Sequence, residues 1–493
     1  MIKKFLTQNW LLVLILILGT FLRFYRLGDY MEFLGDQGRD VLVIRNFFKH
    51  KDLFFIGPQT SIGNMYLGPY FYYLIAPSLL LANFNPVGPA AFIALLSLAT
   101  IVLVYFVGQK WFSRPVGLIA AFLFAISPVV IKYSNFIWNP NVMPLFSLLF
   151  IYFFFEAIIQ QKYKYFIYAS LSFVMVINSH YLGLALLPFP GLYWLFYLYR
   201  HLKTKSKQLK PFLTNSLIAI LVFILSLTPQ VLFDLKHNGQ NIKALINFFT
   251  YRETTVSIKP YKAIPELPAI FNQVNTDLLA AQNQTFGIII SLALAVLIGF
   301  YLLSKNTKKT YFWVIFGWYL FGLSALALYK QHIYAHYFAF LFPAVFILIA
   351  ILIHLFKYIG IPLFILITII SLINNPFKNQ PQNQLVHAQN IATSINNHLD
   401  PSDGQYNVVL LASYNDFKAL APRYFLKSDN LLSPEKYQEA DTLFIVIDDP
   451  NKWPDGINSD IWEIKVFESQ NKVDEFITSD GVKVVKLQKI KNN

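Results

Sequence analysis

At 493 residues, with 56% hydrophobic and 17% aromatic side chains and only 13% charged, the chain is far more apolar than a soluble domain, which normally carries roughly 25% charged residues. A bilayer is its natural solvent, and the 40 Lys and Arg against 26 Asp and Glu fit cytoplasmic loops of a membrane protein rather than a nucleic-acid interface. The absence of cysteine excludes disulfides, thiolate metal sites and a cysteine nucleophile.

Met1-Ile2-Lys3-Lys4 precedes an apolar run at 10–22, and Arg23-Phe24-Tyr25-Arg26 follows it where a cleavable signal would carry small residues, which predicts an uncleaved first span. A spanning helix needs about 20 mainly apolar residues, because lipid offers no partner to backbone N–H and C=O groups. Further runs at 87–107, 116–131, 142–159, 165–178, 182–199, 212–233, 285–303, 311–328, 334–356 and 361–373 bring the expected number to about eleven. The stretch 67–81 is interrupted by Pro69 and Pro77 and reads as a twelfth span or as a pair of membrane-edge helices.

Charge placement bears on that choice. With Lys3 and Lys4 inside and 67–81 not crossing, every even gap is cytoplasmic. Those gaps hold Lys110 and Arg114, Lys162 and Lys164, the cluster from Arg200 to Lys210, then Lys305, Lys308, Lys309 and Lys357. Ten acidic residues precede residue 380, and only Glu156 approaches the inner face. Asp29, Glu32, Asp36, Asp40 and Asp52 fall in a first outer loop, 27–86, and Asp234, Glu253, Glu266 and Asp277 in a long outer loop, 234–284. The expected location is the plasma or inner membrane, with a cytoplasmic N-terminus and an extracytoplasmic C-terminal part. A connection as long as 234–284 suggests a lid or an acceptor-binding loop.

From 379 to 493 the composition turns polar. Helices are predicted over 385–399 and 416–426, and strands at 406–412, 442–448, 462–466 and 482–487, giving a small α/β domain. Its Ile447-Asp448-Asp449-Pro450 reads as a solvated turn or as carboxylates at a strand's carboxyl edge. The fold class is therefore mainly α, a polytopic membrane domain at 1–378 with a soluble α/β domain at 379–493.

The most informative motif is Leu34-Gly35-Asp36-Gln37-Gly38-Arg39-Asp40, directly after the first span and before a helix-like run at 41–48. Helical spacing puts Asp36 and Asp40 on one face with Arg39 alongside. Carboxylates in a partly desolvated cleft are suited to take a proton from a hydroxyl nucleophile. The competing reading is a helix cap at Asp36 with Arg39 paired to Asp40 or to lipid phosphate. Downstream, Leu67-Gly68-Pro69-Tyr70-Phe71-Tyr72-Tyr73 offers aromatic rings either to a sugar or to the membrane interface. Tyr133 to Asn141 includes Asn135, Trp138, Asn139 and Asn141, which suit sugar hydroxyls or cap the next helix.

An uncleaved first span, an acidic outer loop opening on Asp36, a Gly68-Pro69-Tyr70 hairpin and a span ending in Lys110 and Arg114 resemble the GT-C glycosyltransferases. The likeness is to the glycosyltransferase family 39 type, which includes protein O-mannosyltransferases, aminoarabinose transferases and lipopolysaccharide-core transferases. It extends over roughly residues 1–375 in layout. The resemblance implies a GT-C bundle of about 11–12 transmembrane helices with an α/β extracytoplasmic domain. It also implies transfer of one sugar from an undecaprenyl- or dolichyl-phosphate carrier to a lipid, glycan or protein acceptor outside the membrane, with Asp36 at the position of the carboxylate that serves the family as catalytic base or orienter. The family's adjacent Asp-Glu pair is Asp36-Gln37 here, with the second acid at Asp40, and its Lys-Pro-Pro element is replaced by Leu67-Gly68-Pro69.

A departing phosphate needs fixed cations or donors in a dry site. Candidates for donor phosphate or sugar are Arg39, Tyr70, Asn139, His180, Lys236, His237, Lys330, His332 and His336. Lys330, His332 and His336 fall on a spacing that, in a helix, would face one cleft. No tight ligand motif calls for a metal, and no cofactor is expected. Three other classes compete: a lipid-linked sugar flippase or transporter, a surface-polysaccharide polymerase or ligase, and a non-catalytic scaffold. A transporter normally shows ionisable groups near the bilayer midplane, and the predicted spans carry almost none.

Overall fold

The computed structural model describes residues 9–60, 64–251, 257, 259–304, 309–414, 416–457, 459–467 and 470–489. Lys3, Lys4, Glu253, Lys305 and Lys308 lie outside the described residues. The chain divides into two compact units, one of residues 1–25, 53–78 and 89–380, the other of 26–52, 79–88 and 381–493. Residues 26–52, which the sequence reading puts in the membrane domain, belong to the second unit.

Among the described residues of the chain, seven helices are long and apolar enough to cross a membrane. They include Val87–Trp111, Leu209–Ser226 and Gln284–Leu303. The remaining expected runs form shorter apolar helices, Trp10–Phe24, Arg114–Ile126, Tyr165–Ser179 and Lys309–Leu326, and 67–81 yields Tyr70–Leu81. The run 116–131 breaks after Ile126, where Pro128 starts a separate turn, as a residue before proline is driven out of helical geometry.

The most enclosed helix is Phe342–Leu355, apolar on every side and buried along its length. A helix without a polar face belongs in a core, and this one packs against Arg114–Ile126, Met143–Ile159, Gln284–Leu303, Lys309–Leu326 and Lys357–Ile373. Leu209–Ser226 leaves Leu217, Leu221, Ile224 and Leu225 exposed, a face that only lipid would cover without aggregation. Close packing relies on glycine at one point. A Cβ on Gly117 would lie 2.5 Å from the Tyr105 carbonyl oxygen, and one on Gly108 2.8 Å from Gly117 Cα, so Val87–Trp111 and Arg114–Ile126 meet backbone to backbone.

Two buried charges tie the helices together. Arg23, fully enclosed, donates to Ser97 Oγ at 2.8 Å and to the carbonyls of Gly19 at 3.2 Å and Ala125 at 3.0 Å. Glu156, also enclosed, accepts from Lys110 Nζ at 2.6 Å, Trp111 Nε1 at 2.8 Å and the Tyr311 hydroxyl at 3.2 Å. Trp111 stacks on Tyr311 with ring centroids 4.9 Å apart, so one carboxylate joins three helices.

In the second unit, strands β1 (Tyr406–Leu411), β2 (Thr442–Ile447), β3 (Gln470–Ile477) and β4 (Lys483–Lys489) form one sheet in the order β1-β2-β4-β3. β1 and β2 run parallel and the other pairs antiparallel. Alternate residues face opposite sides of a strand. Val408, Leu410, Phe444 and Val446 meet Ile391 and Ile395 of the Gln384–Asn397 helix on one face, while Val409, Leu411, Ile445 and Ile447 meet Tyr437, Ile464 and Phe467 on the other.

Three predicted elements differ. Residues 416–426 contain only the short helix Leu420–Arg423, because Asp416 and Ala419 form a turn ahead of it and Arg423 anchors the backbone with bonds to Lys418, Leu432 and Val408 carbonyls. Residues 462–465 form a helical turn instead of a strand, and β3, which the pattern did not reveal, occupies the sheet edge. The long loop 234–284 holds the helices Gln240–Tyr251 and Leu267–Leu279.

Glu156→Ala removes the partner of Lys110, Trp111 and Tyr311 at once. It is expected to destabilise the detergent-solubilised protein by about 3 kcal/mol, read as a lowered thermal unfolding midpoint, with Glu156→Gln in between.

Candidate active site

The Gly35–His50 helix presents the acidic motif. At its start the Leu34 N–H donates to Gln37 Oε1 at 2.9 Å, which is half of a capping box. Glycine at 38 is demanded by packing, since a Cβ there would lie 2.5 Å from the backbone of Leu420 and Ala421. Farther along, the Arg45 guanidinium lies 4.8 Å over the Tyr424 ring and donates to the Tyr424 carbonyl.

The predicted one-face arrangement is present. Arg39 Nη1 is 2.7 Å from Asp36 Oδ1, while Nη2 is 2.8 Å and Nε 2.9 Å from Asp40 Oδ1. Asp40 is fully buried, whereas the Asp36 side chain is 49% exposed. One carboxylate thus lies under the guanidinium and the other is presented. Asp36 sits in the first helical turn, where the helix dipole favours an anion, and an oriented, accessible carboxylate can accept a proton.

A third carboxylate escaped the sequence reading. Asp416 is buried, and a Cβ on Gly35 would lie 2.8 Å from its Cγ. Its Oδ1 accepts from the Leu420 N–H at 3.1 Å, and Oδ2 has no hydrogen-bond partner among the described residues. Burial pushes its pKa up to about 6, against the lowering effect of the Leu420 and Ala421 N–H groups and Arg423, and the charge of Asp36 adds to the rise. Nothing local marks Asp416, because its role follows from a contact with a residue far away in the chain.

In the first unit three segments converge around His336. Its ring centroid is 4.3 Å from Trp138, 4.5 Å from Tyr337 and 6.2 Å from His180, and His180 is 5.1 Å from Tyr337. Asn139 Nδ2 donates to the Ser179 carbonyl at 2.5 Å. His180 Nδ1 accepts from the Leu182 N–H at 3.1 Å, so the neutral ring carries its proton on Nε2. Asn139, His180 and His336 therefore belong to one cluster.

His332 joins that cluster indirectly, through Tyr334, which is 4.4 Å from His332 and 5.7 Å from His336. The expected helical face of Lys330, His332 and His336 does not form. The Lys309–Leu326 helix has ended, the next turn starts at Ala335, and the intervening Leu328 carbonyl accepts from Ser257 N–H at 2.8 Å. Lys330 and His332 are exposed. Asp277, also unassigned by the sequence reading, is partly buried near His332. Burial pushes it up to about 6, opposed by a hydrogen bond from Gln282 and by the His332 charge.

The remaining candidates lie on other elements. The Tyr70 hydroxyl donates to the Ser226 carbonyl at 2.5 Å. Lys236 and His237 are exposed at the end of the Thr228–Lys236 helix, with the His237 ring stacked 4.1 Å from Phe233. Among the described residues no group of three or more His, Asp or Glu side chains is placed to hold a metal ion.

Residues 67–227 match the family described as dolichyl-phosphate-mannose-protein mannosyltransferase. Among solved structures, the chain is similar to ArnT from Cupriavidus metallidurans bound to undecaprenyl phosphate, with a TM-score of 0.62 at 11% identity over 98% of this chain and 99% of that one. The apo state of the same protein gives 0.61 at 12% identity over 97% and 98%. The Archaeoglobus fulgidus oligosaccharyltransferase in complex with Zn and sulfate gives 0.51 at 12% identity over 96% of this chain and 72% of that one. A search of curated proteins finds no match. The chain is a multi-pass membrane protein with the GT-C fold, as the resemblance around Asp36 implied.

A raised carboxyl pKa means that the folded protein holds its proton more tightly than the unfolded chain, so stability from that group is full below about pH 4 and is lost as pH rises through about 6. Asp416→Asn keeps an acceptor for the Leu420 N–H and removes the buried charge. It is expected to stabilise the protein at pH 8 by up to roughly 3 kcal/mol and to change little at pH 4, measured as the thermal unfolding midpoint at each pH.

Proposed function

We propose that this chain is a membrane glycosyltransferase that moves a single sugar from a polyprenyl-phosphate carrier to an acceptor hydroxyl or amine on the outer side of the membrane, with Asp36 as base. The observation that carries the reading is the presented Asp36 carboxylate, held by Arg39 in the first turn of its helix. The GT-C fold supports it, as does the family description that matches 67–227. ArnT from Cupriavidus metallidurans, similar along nearly its whole length, was solved with undecaprenyl phosphate, which supports an undecaprenyl- or dolichyl-phosphate donor here.

In the proposed step the acceptor heteroatom bonds to the anomeric carbon and its proton passes to Asp36. The bond from the anomeric carbon to the phosphate oxygen breaks, and the lipid monophosphate leaves with the electron pair. Arg39 holds Asp36 Oδ1 at 2.7 Å and so orients the exposed carboxylate for taking the proton. Asp40 is assigned a positioning role, since it is buried and reaches the reaction through Arg39. His180, His336 and Asn139, with Lys330, His332, Lys236, His237 and Tyr70, are the proposed donors to the phosphate or sugar, which need not all act on one group.

The basic clusters from Lys110 to Lys357 and the acidic loops support a cytoplasmic N-terminus, an extracytoplasmic C-terminal domain and a location in the plasma or inner membrane.

Purified protein in lipid nanodiscs, given polyprenyl-phosphate sugars and an envelope lipid extract, is expected to release polyprenyl phosphate. Asp36→Asn should slow release by about 100-fold or more, and Asp40→Asn should slow it less while raising KM little. Wild-type rates in Asp36→Asn would remove that residue from the mechanism, and lipid movement across the bilayer without release would replace the transferase by a flippase.

A further inference from the structure

The second unit holds a cavity of about 250 Å³ at the carboxyl edge of the two parallel strands. Tyr414 follows β1 and Asp448 follows β2 directly, and both line it together with His387 from the first turn of the Gln384–Asn397 helix. In open α/β sheets the crevice beyond the carboxyl ends of the strands is where ligands bind, because side chains from successive loops converge there. Asp448 therefore does not stand in a solvated turn.

The polar groups are prearranged. His387 lies between two carboxylates, with Nε2 3.2 Å from Asp448 Oδ1 and Nδ1 2.7 Å from Asp480 Oδ2. Gln384 accepts from the Phe33 N–H at 2.9 Å and donates to Gln382 Oε1 at 2.6 Å, which turns the Gln382 amide so that its own N–H groups remain to donate. Phe33, Leu34, Ile391 and Pro422 supply apolar wall. A mainly apolar pocket with a few fixed polar groups is the usual form of a small-molecule site.

The same groups restrict the occupant. Among the described residues of the lining the one cationic side chain, His387, is engaged by two acids, so a phosphate or sulfate would meet carboxylates there. A neutral group with several hydroxyls meets acceptor, donor and ring in one place: Asp448 to receive O–H, Gln382 to donate N–H, and Tyr414 to cover a C–H face. The cavity, about 250 Å³, has room for one sugar ring.

We propose that this pocket of the soluble unit binds one neutral, hydroxyl-rich group of monosaccharide size. Phe33 and Leu34 stand immediately ahead of the helix that carries Asp36, so an occupant touches the root of that helix. The link to transfer rests on the glycosyltransferase reading, whereas binding itself does not.

Binding is therefore measured without any lipid-linked donor, on the full chain in nanodiscs, by saturation-transfer NMR. The probes are free glucose, galactose, mannose, N-acetylglucosamine, xylose and arabinose, with ethanolamine and inorganic phosphate as controls. At least one sugar is expected to bind in the millimolar range or tighter, and Asp448→Asn and Tyr414→Ala to weaken it about tenfold or more. Gln382→Ala, on an exposed side chain that cannot unfold the domain, is expected to weaken it several-fold. No sugar binding in the wild type, binding of ethanolamine or phosphate alone, or sugar binding unchanged in Gln382→Ala and Tyr414→Ala would each overturn the proposal. A sugar that binds while transfer is absent would leave the pocket standing and reject only the transferase.

Discussion

Hydrocarbon offers no hydrogen-bond partner, and most of the first unit follows from that one constraint. Backbone groups satisfy one another in helices, and any side chain with a charge must bring its partners along. Arg23 does so by spreading its donors over Ser97, Gly19 and Ala125, and Glu156 by accepting hydrogen bonds from Lys110, Trp111 and Tyr311. Each is a buried charge used as a joint between helices, in a part of the molecule where apolar packing against lipid and against protein are nearly equivalent.

In the second unit the controlling feature is how closely the Gly35–His50 helix lies on the segment that carries Leu420 and Ala421. Glycine at 38 lets its backbone reach Leu420 and Ala421, and Arg45 secures the other end on Tyr424. The close approach brings Asp416 against Gly35, where the carboxylate caps a turn and remains partly unsatisfied. A buried acid of this kind opposes folding when ionised, and retaining one beside a presented Asp36 is the sort of local inconsistency that functional sites tolerate.

The aromatic and histidine cluster of the first unit shows a different logic. Trp138 and His180 come from two connections between helices and His336 with Tyr337 from a third, and their rings meet at angles from tilted to edge-on. Such rings present apolar bodies with polar edges, a surface able to meet both a sugar ring and its hydroxyls.

The sequence by itself determined the order of the apolar runs, the switch to a polar C-terminal part, and the shared face of Asp36, Arg39 and Asp40, because each is written in composition or in periodicity within a few turns of chain. It did not determine that 26–52 belongs with the C-terminal domain, that residues 330–334 are not helical, or that 462–465 turns instead of extending. Asp416, Asp277 and the His387 pair between Asp448 and Asp480 were equally invisible. These features arise where residues distant in the chain exclude water together, and burial and contact across such distances are set by packing, which no local pattern records.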